Sequence, residues 1–185
     1  MALSAKLKAW LLEQRVPYTI HRHRLAYTAQ EIAAAAHVSG KHVAKCVLVT
    51  TDQGVRMAVL PATHLIDFKQ LKTALKVKRV SLAREAEIKR AFPDVEVGAM
   101  PPFGGLYGVG VIVDESLTDG KELVCNAGSH THTMTLAPAD LLRAERPIVA
   151  TFGAPVVHKP VKPTKKSTKP AKSAKKPKRP AKSAK

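Results

Sequence analysis

Two hydrophobic periods alternate along this chain, and the switches between them mark its elements. Leu3, Leu7, Trp10 and Leu11 fall at the i, i+4, i+7, i+8 spacing of one helix face, so residues 4–15 are predicted to be helical. Ser4 can cap that helix and Pro17 ends it. "YTIHRH" then alternates as a strand does, with Tyr18 and Ile20 on one side. From Thr28 to Glu31, "TAQE" is a capping box opening an Ala-rich helix that runs to about His37 and stops before Gly40. "VAKCVLVT" and "VRMAVLP", separated by "TDQG", predict a hairpin of two largely buried strands. Asp67 is expected to cap a short helix through Leu75, and Ser81 another through Phe92, closed by Pro93. After a Gly/Pro loop, "GAMPPFGGLYG", the apolar segments "VGVIVDESL", "ELVCNAG" and "HTMTLA" read as strands, and Pro138 and Asp140 start a last helix, "ADLLRAE". Helices and strands mix without regular βαβ alternation, which predicts an α+β domain with a curved, mixed β-sheet flanked by helices.

Composition changes this picture only at the C-terminal end. Residues 159–185 hold 12 of the 31 Lys+Arg, no acidic residue and no aromatic one. The remaining 19 cations face 14 Asp+Glu, so the segment 1–158 is only about +5 of the total +17. A run with no apolar side chain beyond Val161 and scattered Ala cannot offset its ordering entropy by burial. Its prolines would break any Ala/Lys helix. The expected organisation is therefore one folded domain, 1–158, followed by a disordered Lys/Pro/Ala-rich tail, 159–185. About 158 residues suffice for a single sizeable core. Cys46 and Cys125 lack CxxC spacing, and "LKAWLLEQ" is too short and too charged for a signal peptide or a membrane span. A cytosolic protein with reduced thiols and no membrane partner is expected.

Three places could carry chemistry. Lys45 stands at the mouth of an apolar strand, beside Cys46, Val47 and Leu48. Either it leaves the sheet into solvent, or it aims a compact cation at a phosphate or a carbonyl oxygen. The loop from Gly98 to Gly110 has five glycines and two prolines in 13 positions. Pro101 and Pro102 stiffen it, while Gly98, Gly104 and Gly105 let backbone N–H groups approach a ligand. It is neither a Walker loop nor a dinucleotide fingerprint, and a tight sheet connection would explain it equally well. "AGSHTHT" puts Ser129 and His130 at the mouth of a turn at Gly128. His130 and His132 would point the same way in a strand, but no Cys or acidic partner stands at a ligand-like spacing, so no metal or other cofactor is read here. No G-x-S-x-G elbow surrounds Ser129, which leaves nucleophilic catalysis weakly supported. The other histidines read as surface residues, and Asp114 and Glu115 as a strand end.

The order of these pieces is more specific than any one of them. Lys45 opens a strand after a capped Ala-rich helix, "GAMPPFG" follows, and "NAGSH" precedes a strand and "PADLL". That order resembles the YbaK family of aminoacyl-tRNA deacylases, which includes the editing domain inserted in bacterial prolyl-tRNA synthetases. The resemblance spans about residues 3 to 150. It implies a YbaK-like fold and a freestanding hydrolase that cuts the ester between a wrong, small amino acid and the terminal ribose of a tRNA. It further implies that Lys45 holds the 3′ end. Gly98 to Gly104, with Pro101, Pro102 and Phe103 between them, would position the ester and water. Gly128, Ser129 and His130 would line the amino-acid pocket, with Cys46 shaping it. Neither a metal nor a covalent intermediate is implied; a ribose hydroxyl of the substrate helps activate the water. Partners expected on this reading are the aminoacylated 3′ end of tRNA and an aminoacyl-tRNA synthetase. The tail departs from the compact family pattern. Its cations, among them Lys165, Lys166, Lys175, Lys176, Lys178 and Arg179, would tether tRNA without reading sequence. The competing reading is a catalytically silent nucleic-acid-binding protein that works through this tail.

Overall fold

The computed structural model describes residues 3–156, so the tail and its six named cations lie outside the described residues. Five helices form where the pattern predicts them. Helix α1 (Ala5–Glu13) is capped by Ser4, whose hydroxyl accepts from Leu7 N, and it buries Leu7 and Leu11. The Thr28–Glu31 capping box opens α2 (Ala29–Ala35) in both of its halves. Asp67 caps α3 (Phe68–Leu75) by accepting from Lys69 N and Gln70 N. Two further helices are α4 (Glu85–Ala91) and α5 (Pro138–Glu145), the latter beginning on its proline. One expectation is corrected here. Ser81 does not cap α4; it lies in a short strand, Val80–Leu82, and Arg84 precedes the helix instead. The alternating Val80 and Leu82 find a free edge on a neighbouring strand, and that pairing outcompetes the cap.

The strands in chain order are β1 (Thr19–Arg22), β2 (Val43–Thr51), β3 (Gly54–Pro61), β4 (His64–Ile66), β5 (Val80–Leu82), β6 (Gly110–Asp114), β7 (Leu123–Ser129), β8 (His132–Leu136), β9 (Ile148–Ala150) and β10 (Gly153–Pro155). Eight of them build one mixed sheet in the order β1-β8-β7-β2-β3-β6-β9, with β5 also on β2; β4 and β10 pair separately. The predicted β2–β3 hairpin runs antiparallel from Ala44↔Pro61 to Thr51↔Gly54. Strands β7 and β2, β3 and β6, and β6 and β9 are parallel.

Helices cover both faces of the sheet. On one side α1, α4 and α5 pack on Ala44, Leu48, Val59, Cys125 and Phe103. On the other, α3 covers Val49, Leu60 and Ile112, while α2 covers Val43, Ala62 and Val124. Because successive strand residues point to opposite faces, β2 sends its even positions to the α1 side and its odd positions to the α2/α3 side. Asp114, at the end of β6, is buried and accepts from Phe152 N and Gly153 N, which ties the last strands to the sheet. Among the described residues no helix is long and apolar enough to cross a membrane.

Candidate active site

The site follows from a fork in the sheet. Strand β2 pairs with β7 only at Val43↔Val124 and Ala44↔Cys125, and with β5 only from Val49 onward. Beyond Ala44 the backbone of β7 turns to another partner. Gly128 N donates to Ala99 O at 3.1 Å, and Gly128 O accepts from Glu96 N at 3.0 Å. The start of the Gly/Pro loop therefore fills the place that β2 vacates. A β-bulge between Asn126 and Ser129 bends β7 there. Lys45 is the first residue of β2 past the fork.

An odd position on β2 puts the Lys45 side chain on the α2/α3 face. It is half-buried, its ammonium donates to the His64 carbonyl, and loss of water pulls its pKa below the usual lysine value. No described carboxylate forms an ion pair with it. One of its three N–H donors is engaged, and the cation stays uncompensated, which suits it to an anionic or carbonyl-bearing ligand.

Asn126 lies on the same face, since Val124 two residues before it packs with Val43. Its Nδ2 donates to Gly98 O at 3.4 Å, while its buried Oδ1 has no partner. Across the ladder sits Thr133, 1% exposed, with its hydroxyl also unpartnered. Gly98 itself has φ +89°, a conformation that favours glycine, and a Cβ there would lie 3.5 Å from His130 Cε1. The His130 ring bonds through Nε2 to Val97 O at 3.0 Å. A carbonyl only accepts, so that nitrogen carries a proton, while Nδ1 is buried without a partner. His130 N donates to Glu96 Oε2 at 2.8 Å, and the ring stacks on Tyr27, centroids 4.8 Å apart.

Gly98 and His130 thus lie against each other beside the fork, Lys45 is the first β2 residue past it, and the other expected site residues are placed differently. Cys46, at an even position, turns to the α1 face, where burial and the nearby Glu145 carboxylate push its thiol pKa up. Pro101, Pro102 and Phe103 are buried, with the Phe103 ring 5.1 Å from Trp10. Phe103 anchors the loop against α1, and Gly98 is left at its exposed edge. Gly104 has ordinary backbone angles, and a Cβ there would meet Val109 O at 2.5 Å, so its role is close packing. Ser129 Oγ lies 3.1 Å from His132 Nδ1, inside the hairpin turn. Gly128 and Ser129 line a cavity of about 480 Å³ on the α1 side. His130 and His132 do not share one strand: β7 ends at Ser129, His130 and Thr131 make the turn, and β8 begins at His132. Asn126, Thr133 and Tyr27 were missed from sequence. "NAGSH" contains Asn126, but nothing in its spacing tells that the side chain lies on the same face of the sheet as Lys45.

A groove of about 490 Å³ opens on the same face, lined by His21, Arg22, His23, His37 and Thr133 beneath α2. It joins the fork through Thr133.

Residues 23–144 match the family described as the aminoacyl-tRNA editing domain. The chain belongs to that family. No curated protein matches it. Solved structures similar to this editing domain include hypothetical protein APE2540, with a TM-score of 0.74 and 22% identity over 80% of this chain and 99% of that one. A second is a candidate trans-editing enzyme for prolyl tRNA synthetase, with a TM-score of 0.72 and 16% identity over 80% and 95%. A candidate signal transduction protein from Marinobacter aquaeolei VT8 contains the same fold at a TM-score of 0.63 and 16% identity, over 82% of this chain and 31% of its own. The mixed sheet with helices on both faces is therefore the YbaK-like fold.

Proposed function

We propose that this editing domain acts in trans as a hydrolase on mischarged tRNA, cutting the ester that joins a small amino acid to the terminal ribose. Water adds to the carbonyl carbon, the bond to the ribose oxygen breaks, and the proton from water ends on that oxygen. Lys45 acts as an electrostatic anchor for the 3′ phosphate or the aminoacyl carbonyl, neither nucleophile nor general base. The observation that carries the reading is this uncompensated, half-buried ammonium, carried by the first residue of β2 past the point where β7 leaves it for the Gly98 loop. Gly98 brings backbone close to the ester, while Asn126 Oδ1 and His130 Nδ1 are buried polar atoms left without a partner, available to a water or a ribose hydroxyl that enters beside them. A synthetase that supplies the tRNA is a further partner on this reading.

A panel of mischarged tRNAs tests it, with release of free amino acid as the signal. Wild-type protein should deacylate at least one member, and Lys45→Ala should lower that rate about 10²–10³-fold with unchanged circular dichroism and melting. An unchanged rate in the variant removes Lys45 from the mechanism. Salt-sensitive RNA binding with no deacylation of any member favours the catalytically silent reading.

A further inference from the structure

Tyr27 is an aromatic side chain that the fold fixes and leaves open. The segment from His23 to Tyr27 is fastened to the β7–β8 turn: His23 N donates to Thr131 O, and Ala26 N to His130 O, both at 3.0 Å. Tyr27 N then donates to Glu31 Oε2 at 2.8 Å, the same carboxylate that accepts from Thr28 N at the start of α2. Ala26 beside it is 3% exposed, yet Tyr27 is 66% exposed. A tyrosine that only filled the core would turn inward from so well determined a backbone.

The ring is backed on one side by His130, tilted at 51°. His130 in turn is bonded to Val97 O and lies against Gly98. Tyr27, His130 and Gly98 therefore form a series leading from solvent to the loop where the ester is proposed to sit. The flat group nearest to that ester in an aminoacyl-tRNA is the base of the terminal nucleotide. Every base has a π-face, and stacking on a fixed aromatic ring orders it without sequence readout. From this geometry we infer that Tyr27 is the stacking platform for the terminal base, holding the ribose so that its ester faces Gly98 and Lys45. The inference rests on the ester-hydrolysis reading and adds a substrate contact to it.

The test separates binding from turnover. An RNA hairpin with 2-aminopurine as its terminal base and a non-hydrolysable amide-linked amino acid is titrated with the full chain. Wild type should quench the fluorophore. Tyr27→Phe should quench as well, and Tyr27→Ala should lose the quenching and bind about tenfold more weakly. In deacylation of the matching ester, Tyr27→Ala should raise KM about tenfold with kcat within about twofold and an unchanged melting temperature. Equal quenching and affinity in wild type and Tyr27→Ala would overturn the inference while leaving hydrolysis intact. So would a loss that follows the size of the amino acid and ignores an abasic terminal nucleotide, because Tyr27 would then contact the amino acid. Wild-type protein that quenches but cuts no mischarged tRNA would retain the stacking platform and sink the hydrolysis reading.

Discussion

Glu145 shows how a single residue couples the loop to pH. Its Oε2 accepts from Gly105 N at 2.9 Å, and its Oε1 is buried without a partner. Burial raises its pKa to about 7, and the Gly105 N–H offsets only part of that shift. The sign follows from the raised value. Between pH 4.5 and about 7 the unfolded chain has already ionised Glu145 while the folded one keeps its proton. Stability therefore falls as pH rises through this window, and the whole penalty is present above it. The full shift would correspond to about 3 kcal/mol, and water reaching the partly exposed side chain reduces it to about 1–2 kcal/mol. Glu145→Gln should flatten the pH 5 to pH 8 stability profile by that amount in urea unfolding; a profile parallel to wild type would remove Glu145 as its source. Lys45 illustrates the same scale from the sequence side. Its local pattern favoured a solvated strand end over a ligand-facing cation. Its half-buried setting depends on His64, 19 residues later, whose carbonyl holds the ammonium.

At the scale of elements, the capped helices and the β2–β3 hairpin were legible because their signals are local. Ser4, Thr28 and Asp67 bond to N–H groups two or three residues on, and "TDQG" closes a turn between two apolar runs. Strands β4, β5, β9 and β10 were not legible: each is three residues long, too short for a period to show, and exists through a distant partner. The Gly/Pro loop divides in the same way. Its glycines are visible in sequence, but their duties differ. Gly104→Ala would drive a Cβ to within 2.7 Å of Val111 Cγ2 as well as into Val109 O, and should cost about 1–3 kcal/mol of stability. Gly98→Ala meets only strained backbone, about 1 kcal/mol, and should lose activity out of proportion to stability because its exposed edge faces the fork. Urea unfolding and deacylation on the same samples check both; a Gly98→Ala enzyme with wild-type rates would free that position from the site.

At the scale of the whole molecule, most of the net charge and the proposed site belong to different parts of the chain. The domain is nearly balanced, and residues 159–185 carry +12. A protein ending at His158 should match the full chain at saturating tRNA, show a higher KM at low salt, and lose most of its log–log salt dependence. Identical KM values across ionic strength would show that the tail does not tether tRNA. The sequence alone determined what depends on nearest neighbours and on order along the chain: the caps, the central hairpin, the α+β class, and the ordered set of Lys45, Gly98 loop and "NAGSH". Tertiary structure alone decided which of those residues meet. A one-residue step along β2 separates Lys45 from Cys46 by the full thickness of the sheet. The fork that joins Asn126, Gly98 and His130, with Lys45 the first β2 residue beyond it, exists because β7 leaves β2 after two paired residues and takes the loop as its partner. Pairing of that kind is set by contacts far apart in sequence, so no local pattern could contain it.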